Sequence, residues 1–269
     1  MTEDLKVVSN SPAPEAAAPL TALCMEIAVV VPTLNERENI SGIIDGVLSA
    51  DSRLHIIVVD DGSQDGTAEF VREAARETDP KYFEAGVPRV HLLARGQKLG
   101  YASAIQDGMR FALDHGAARI VTMDADFSHD PKYLPALLKK SEKYDLVIGS
   151  RYVRGGGTRN WGWDRKILSG GANWLARTLL SLPARDCTAG FRCWKRELIE
   201  RAAILDVHVE GYAFLFLTMD NCRRARATVG EVPIIFVDRR FGHSKMSRHI
   251  VIEAVKVLWR LWKRRLSRR

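Results

Sequence analysis

The stretch Ile120-Val-Thr-Met-Asp-Ala-Asp-Phe-Ser-His-Asp130 decides how the rest of the chain folds around it. Ile120 to Met123 is a short apolar run of the kind a buried strand shows, and Asp130-Pro131 supplies an N-cap and an N1 proline for a helix. Asp124-Ala125-Asp126 therefore sits at a strand's carboxyl end. Two carboxylates one residue apart on a turn can converge on one hard divalent cation. Mg²⁺ held by one or two carboxylates usually completes its shell with substrate phosphates, which points to a nucleoside diphosphate site. A D-x-D triplet alone is weak, since about one is expected by chance in a chain this rich in Asp. Its surroundings decide.

Working outward, the strand-then-helix unit repeats. Ile27-Ala-Val-Val-Val31 is a buried-type strand, and Asn35-x-x-Glu38 ahead of Ile40, Ile43, Ile44 and Val47 reads as a capping box opening an amphipathic helix. His55 to Val59 is a second strand, followed by the turn Asp60 to Gly66 and a helix from Thr67 to about Arg76. Val90 to Leu93 leads to a helix over Tyr101–Leu113 closed by Gly116, and Leu146 to Ile148 follows the carboxylate strand as a fifth. Such alternation implies α/β, a doubly wound, mainly parallel sheet. Ligands bind such sheets outside the carboxyl ends of the strands. There the sequence places Pro32 to Glu36, Asp60-Asp61, Lys98, Asp124/Asp126 and Ser150-Arg151. With neither G-x-G-x-x-G nor a Walker A sequence, a dinucleotide site or P-loop is disfavoured.

The 269 residues suit one α/β domain with an appendage or two small domains. No apolar run approaches a spanning helix, and the N-terminus lacks a secretory h-region, so the body is expected in the cytoplasm. Cys24, Cys187, Cys193 and Cys222 lack C-x-x-C spacing and read as reduced, packed thiols. The formal charge of +7 is local: residues 239–269 hold eleven Lys/Arg against Glu253, a net of +10, leaving about −3 on the other 238. Residues 1–22, Ala/Pro-rich and aperiodic, read as a disordered leader.

The motifs VVVPTLNERENI (29–40), VVDDGSQDGT (58–67), KLGYASAIQDGM (98–109), MDADFSHDP (123–131), GSRYVRGGG (149–157), RKILSGGAN (165–173), DCTAGFRCWKRE (186–197), EGYAF (210–214) and EVPIIFVDRRFGHSKMS (231–247) occur in one order. In that order the chain resembles the dolichol or polyprenol phosphate mannose synthases among the inverting family 2 glycosyltransferases, over about residues 27–247. The first half is common to many family 2 enzymes, while DCTAGFR and DRRFGHSKMS point to the polyprenyl phosphate branch. The resemblance implies a GT-A fold over 23–247, GDP-mannose as donor, polyprenyl phosphate as acceptor and Mg²⁺ or Mn²⁺ as cofactor.

Carried over position by position, Pro32, Leu34, Glu36, Val59 and Asp61 would hold the guanosine, with Lys98, Asp124, Ala125 and Asp126 toward the sugar diphosphate. Read without the resemblance, Asp60-Asp61-Gly62 is equally a turn and Glu36 equally an acid placed by the helix dipole. Asp124 and Asp126 would bind metal; Ser128 stands where some relatives carry a metal-reaching Gln, and is a weaker oxygen ligand. Arg151 and Arg165, with Ser169, fit the acceptor-phosphate positions, and Arg239 and Lys245 the loop that closes over the donor diphosphate. Taken singly, Arg165 and Arg240 read by default as solvated surface residues. His129, His243 and His249 receive no catalytic role. The implied chemistry is direct displacement: an ionised lipid phosphate oxygen attacks the anomeric carbon as GDP leaves, with no obligatory general base, so positioning and electrostatics supply the rate.

Residues 248–269 read as a basic amphipathic helix, with Val251, Val255, Leu258, Trp259, Trp262 and Leu266 on one face. It suits an anionic membrane surface, or equally packing on the domain. Ile167 to Leu182, with Trp174, Leu175, Leu179 and Leu180, offers a second apolar contact. The resulting expectation is a peripheral enzyme on the cytoplasmic face of a membrane, with or without an integral-membrane partner. Two alternatives stand beside it: a family 2 transferase using UDP-glucose or another sugar nucleotide, and a non-catalytic nucleotide-binding adaptor. Nucleic acid is not expected as a partner, because most of the chain is net acidic and carries no binding motif.

Overall fold

A computed structural model of the chain describes residues 25–76, 83, 84, 87–209, 211, 213–237 and 263, apart from the side chains of Glu84, Asp164, Arg165, Leu168 and Ala172. The first half alternates as the sequence predicts: β1 (Ile27–Thr33), α1 (Arg37–Ala50), β2 (Leu54–Asp60), α2 (Thr67–Ala74), a small hairpin of β3 (Phe83–Glu84) and β4 (Val87–Pro88), β5 (Val90–Ala94), α3 (Tyr101–Asp114) and β6 (Arg119–Thr122). A 3₁₀ turn at Pro131–Tyr133, capped by Asp130 accepting from the Lys132 amide, opens α4 (Leu134–Ser141). Then come β7 (Leu146–Ser150), β8 (Gly157–Arg159), α5 (Trp163–Leu180), β9 (Arg192–Lys195), α6 (Arg196–Arg201), α7 (Ala213–Arg224), β10 (Val229–Pro233) and β11 (Ile235–Val237).

The main sheet has seven strands in the order β10-β7-β9-β6-β1-β2-β5. β1, β2, β5 and β6 run parallel, as do β7 and β10, while β9 enters antiparallel between β6 and β7. The expected mainly parallel sheet is present, and the reversed strand has a consequence. Its amino end lies beside the carboxyl ends of its neighbours, so the segment before it joins the loops where ligands bind. Thr122 Oγ1 donates to the Gly190 carbonyl at 2.7 Å there. Successive residues of a strand face opposite sides of the sheet. Ala28 and Val30 accordingly pack with α3 and α7 on one side, and Ile27, Val29 and Val31 with α1, α2 and α4 on the other.

One local expectation fails. Asn35 does not cap α1, which begins at Arg37 after Glu36 with no side-chain cap. Asn35 instead adopts φ 57°, its side-chain oxygen accepts from the Gln64 amide and its own amide donates to the Ser63 hydroxyl, while the Glu36 amide donates to the Thr67 hydroxyl. The two loops after β1 and β2 are thus bonded to each other, which outcompetes a local cap. The leader 1–22, the 248–269 helix except exposed Lys263, and the loop with Arg239 and Lys245 lie outside the described residues.

At the opposite, amino end of the strands His55 Nδ1 and His91 Nε2 meet at 3.2 Å, and His91 also packs on Phe111. Burial, reinforced by the neighbouring His55 and His115, pushes the His91 pKa down to about 3. The unfolded chain takes up a proton near pH 6.5 that the native state refuses. Stability should therefore fall with pH between about 6.5 and 3, with a slope approaching about 1.4 kcal/mol per pH unit. Urea unfolding at pH 7.5 and 5.0 checks this, and His91→Gln should flatten the dependence.

Candidate active site

The metal-type loop continues β6, because the Met123 amide still donates to the Val30 carbonyl at 3.1 Å. Beyond it the Asp124 amide donates to His129 Nδ1 at 2.9 Å, which places that ring's proton on Nε2. His129 is buried, stacked on Phe191 at 5.1 Å and edge-on to Phe236 at 5.7 Å. Asp126 is buried too, and its Oδ1 accepts from the Ser128 amide at 3.1 Å and hydroxyl at 2.5 Å. Asp124 keeps a third of its side chain exposed. An all-oxygen pair, one carboxylate pinned and one open to solvent, fits a hard cation. Among the described residues no group of three or more His, Cys, Asp or Glu converges. Ser128 orients Asp126 here.

Beside this loop lie the residues assigned to the nucleoside. Pro32, Leu34 and Glu36 are partly exposed along the β1–α1 loop, and Asn39 Nδ2 donates to the Glu36 carboxylate at 2.9 Å. Val59 is fully buried against Gly108 of α3, so its side chain belongs to the core rather than to a ligand surface. Ala125 is also core, and Lys98 is exposed. Asp61 is buried and occupied: it accepts the Leu99 and Gly100 amides at 2.8 and 2.9 Å and pairs with Arg95 at 3.0 Å. It therefore fixes the start of α3. That matters for the Asp124 loop, because the Tyr101 hydroxyl crowds Gly190, where an added Cβ would lie 2.8 Å from it, and Asp124 is in ordinary contact there at 3.8 Å.

Arg151, at the end of β7, is buried and bound bidentately by fully buried Asp186, with Nε–Oδ2 at 2.8 Å and Nη2–Oδ1 at 2.7 Å. Nη2 also donates to Thr188, and the Arg151 amide donates to Asp186 Oδ2. Burial acts to raise the Asp186 pKa, yet the Arg151 charge and the hydrogen bonds outweigh it and hold the carboxyl below its ordinary range. Glu231 of β10 accepts the Arg185 and Asp186 amides, fixing the loop. The rings of Tyr152, Trp161 and Phe236 each lie 5.4 Å from the guanidinium. Phe236 thus touches both Arg151 and His129, and joins the two halves of the site. Ser169 of α5 accepts from the Tyr152 hydroxyl at 2.8 Å, and Arg165 lies one turn earlier on that helix.

The profile of glycosyl transferase family 2 matches residues 28–205. The chain belongs to that family. It is 42% identical over 228 residues to the polyprenol monophosphomannose synthase of Mycolicibacterium smegmatis, spanning 84% of this chain and 83% of that one. To the undecaprenyl-phosphate mannosyltransferase of Micrococcus luteus it is 38% identical over 232 residues, spanning 86% and 91%. Among solved structures, glucosyl-3-phosphoglycerate synthase from Mycobacterium tuberculosis superposes with a TM-score of 0.61 at 19% identity, over 89% of this chain and 80% of that one. That protein has been seen with Mn²⁺, UDP and glucosyl-3-phosphoglycerate, and with Mg²⁺ and UDP. At such identity the likeness concerns the fold, which is GT-A.

For a family 2 glycosyltransferase the structure brings Asp124, Asp126, Ser128, Arg151, Ser169 and Asp61 to one edge of the sheet. Sequence reasoning missed two contributors. His129 was visible three residues past Asp126, but a lone histidine gives no sign that its ring will receive the Asp124 amide. Asp186 was visible only as part of a motif, and its pairing with Arg151 spans 35 residues.

Proposed function

We propose that this glycosyltransferase moves mannose from GDP-mannose to a polyprenyl monophosphate with inversion. The observation that carries the reading is the placement, along one sheet edge, of a carboxylate pair and an aromatic-ringed, carboxylate-locked arginine joined through Phe236. One half suits a nucleoside diphosphate with Mg²⁺ or Mn²⁺, the other a phosphate monoester. The names of both curated relatives point to mannose and a polyprenyl acceptor.

In this reading Pro32, Leu34, Glu36 and Asp61 border the guanosine, and Asp124 and Asp126 hold the cation at the diphosphate. Bound there, a divalent cation would neutralise charge that develops on the departing GDP. Arg151, with Arg165 and Ser169, seats the lipid phosphate, while Arg239 and Lys245 close on the donor. A lipid phosphate oxygen forms the new bond to C1 as the bond from C1 to the GDP oxygen breaks, its electron pair leaving with GDP. The incoming phosphate is ionised at neutral pH, so His129 has no proton to remove. Its part is to hold Asp124.

Membrane contact has support from α5. Trp163, Ile167 and Trp174 are 79%, 72% and 66% exposed and share one face, whereas Asn173, Ala176 and Leu180 are buried on the other. Leu179 and Leu180, expected on the apolar contact, pack inward instead. Exposed aromatic residues of this kind suit a bilayer interface, and they ride on the helix that carries Ser169. Among the described residues no helix is long and apolar enough to cross a membrane. Peripheral attachment on the cytoplasmic face, through α5 and the 248–269 helix with or without an integral-membrane partner, completes the proposal.

The test supplies GDP-mannose or UDP-glucose with a polyprenyl phosphate in liposomes and follows nucleotide release. GDP release that requires the lipid phosphate supports the reading; faster turnover of UDP-glucose overturns the donor. In the same assay Trp163→Ser with Trp174→Ser should raise the KM of a long-chain acceptor by about tenfold, roughly 1.4 kcal/mol of lost anchoring. A short water-soluble acceptor should be used as before.

A further inference from the structure

We infer that α1 sets the position of the Asp126 carboxylate through a notch made by Gly42 and Gly46, in which Phe127 and Pro131 are seated. The inference rests on Asp126 being a metal ligand. Phe127 follows Asp126 directly and has φ 59°, a left-handed conformation that a bulky residue seldom adopts. Its ring lies over Gly42, where an added Cβ would come within 2.7 Å of Cζ. One turn along, a Cβ on Gly46 would come within 2.8 Å of Pro131 Cγ. Residues four apart share a helix face, so the two glycines form one recess.

Glycine is disfavoured inside a helix because it adds backbone entropy to the unfolded chain. α1 carries two within fourteen residues, and alanine at either would make the better isolated helix. What alanine would cost is the close approach of the loop. From Asp124 to Pro131 that loop is held at successive points: the Asp124 amide on His129, Asp126 by Ser128, Phe127 in the notch, Asp130 as a cap, and Pro131 in the notch again. The notch ties it to a different helix, α1, by close contact. Pro131 is a closed ring and cannot swing aside, so bulk at Gly46 must move backbone. A ligand displaced by about an ångström loses much of its effect. Gly42, Gly46 and Phe127 are positioning residues acting through Asp126.

The test measures Mn²⁺ affinity in the presence of GDP by electron paramagnetic resonance of the free ion, beside the melting temperature, in the full chain. Gly42→Ala and Gly46→Ala should each weaken Mn²⁺ binding about tenfold and raise the metal concentration for half-maximal activity in step, while the melting temperature falls only slightly, because the better helix former offsets part of the crowding. A purely structural role predicts the reverse pairing, lower melting with normal affinity, and that result overturns the inference. Phe127→Leu, which adds no bulk, should weaken binding in the same direction and serves if a glycine variant does not fold. In a Phe127→Ala background, where the recess is vacant, Gly42→Ala should add nothing further; additive losses overturn the seating argument. Asp126→Asn separates the two levels. If it abolishes Mn²⁺ binding while the glycine variants bind as the parent does, the notch has no such role and the metal assignment stands. If Asp126→Asn itself binds Mn²⁺ normally, both fall.

Discussion

Asp126→Asn is expected to lower kcat/KM by about a thousandfold while melting within about 2 °C of the parent, the scale seen when one preorganised electrostatic contact is removed. The fold should tolerate the change because the Ser128 contacts that shape the turn are made to Oδ1. An asparagine carbonyl can accept from the Ser128 amide and hydroxyl as the carboxylate does. What disappears is the second carboxylate oxygen and the negative charge, at a buried position. Asp124→Asn should do less, since its side chain is a third exposed and its amide bond to His129 is made by the main chain. The check is kcat and KM for donor and acceptor in chelator-stripped enzyme with Mn²⁺ or Mg²⁺ titrated back. Normal turnover by Asp126→Asn at every metal concentration would remove the residue from the metal site.

The half of the fold built from β1, β2, β5, β6 and β7 was legible because strands buried on both faces must be apolar along their whole length, as Ile27–Val31 and Ile56–Val59 are. β9 and β10 were not. β9 is four residues headed by Arg192, whose fully buried guanidinium is satisfied by the Ala189, Cys187 and Leu215 carbonyls and the Thr218 hydroxyl. A charged residue in the core breaks the apolar run that marks a strand, and only tertiary structure supplies the acceptors. The same limit applies to the site. Carboxylates close in sequence, such as Asp124 and Asp126, show their relation in the string itself. The supports that orient functional groups are distant partners: Asp186 for Arg151, Arg95 and the Leu99 amide for Asp61, the glycines of α1 for Phe127. Asn35 shows the opposite error, since a correct local motif was overridden by hydrogen bonds to a loop nearly thirty residues away.

Arg151 presents the sharpest question of role, because its guanidinium already meets a carboxylate. A buried ion pair contributes little net stability when intact, yet breaking one costs about 3–5 kcal/mol because the surviving charge is left without its partner. A strut of this kind can hold a loop without touching substrate. A phosphate grip uses the same pair differently: Asp186 fixes the plane of the guanidinium, and the aromatic rings at 5.4 Å shield it from water, so an arriving phosphate finds an oriented donor. Two variants divide the cases. Arg151→Lys keeps the charge but lacks the planar fork. It should cost about 1–3 kcal/mol of stability and raise the KM of the lipid phosphate by at least about thirtyfold, with the donor KM unchanged. Asp186→Asn should cost a similar amount of stability, because Asn keeps an acceptor for Nε and loses the charge that matches Arg151. It should not raise the lipid KM more than a few-fold, since the cation facing the acceptor remains. If both variants weaken acceptor binding in proportion to their loss of stability, the pair is a strut. If Arg151→Lys alone separates acceptor binding from stability, the guanidinium itself meets the phosphate, and Asp186 serves the stability of its loop.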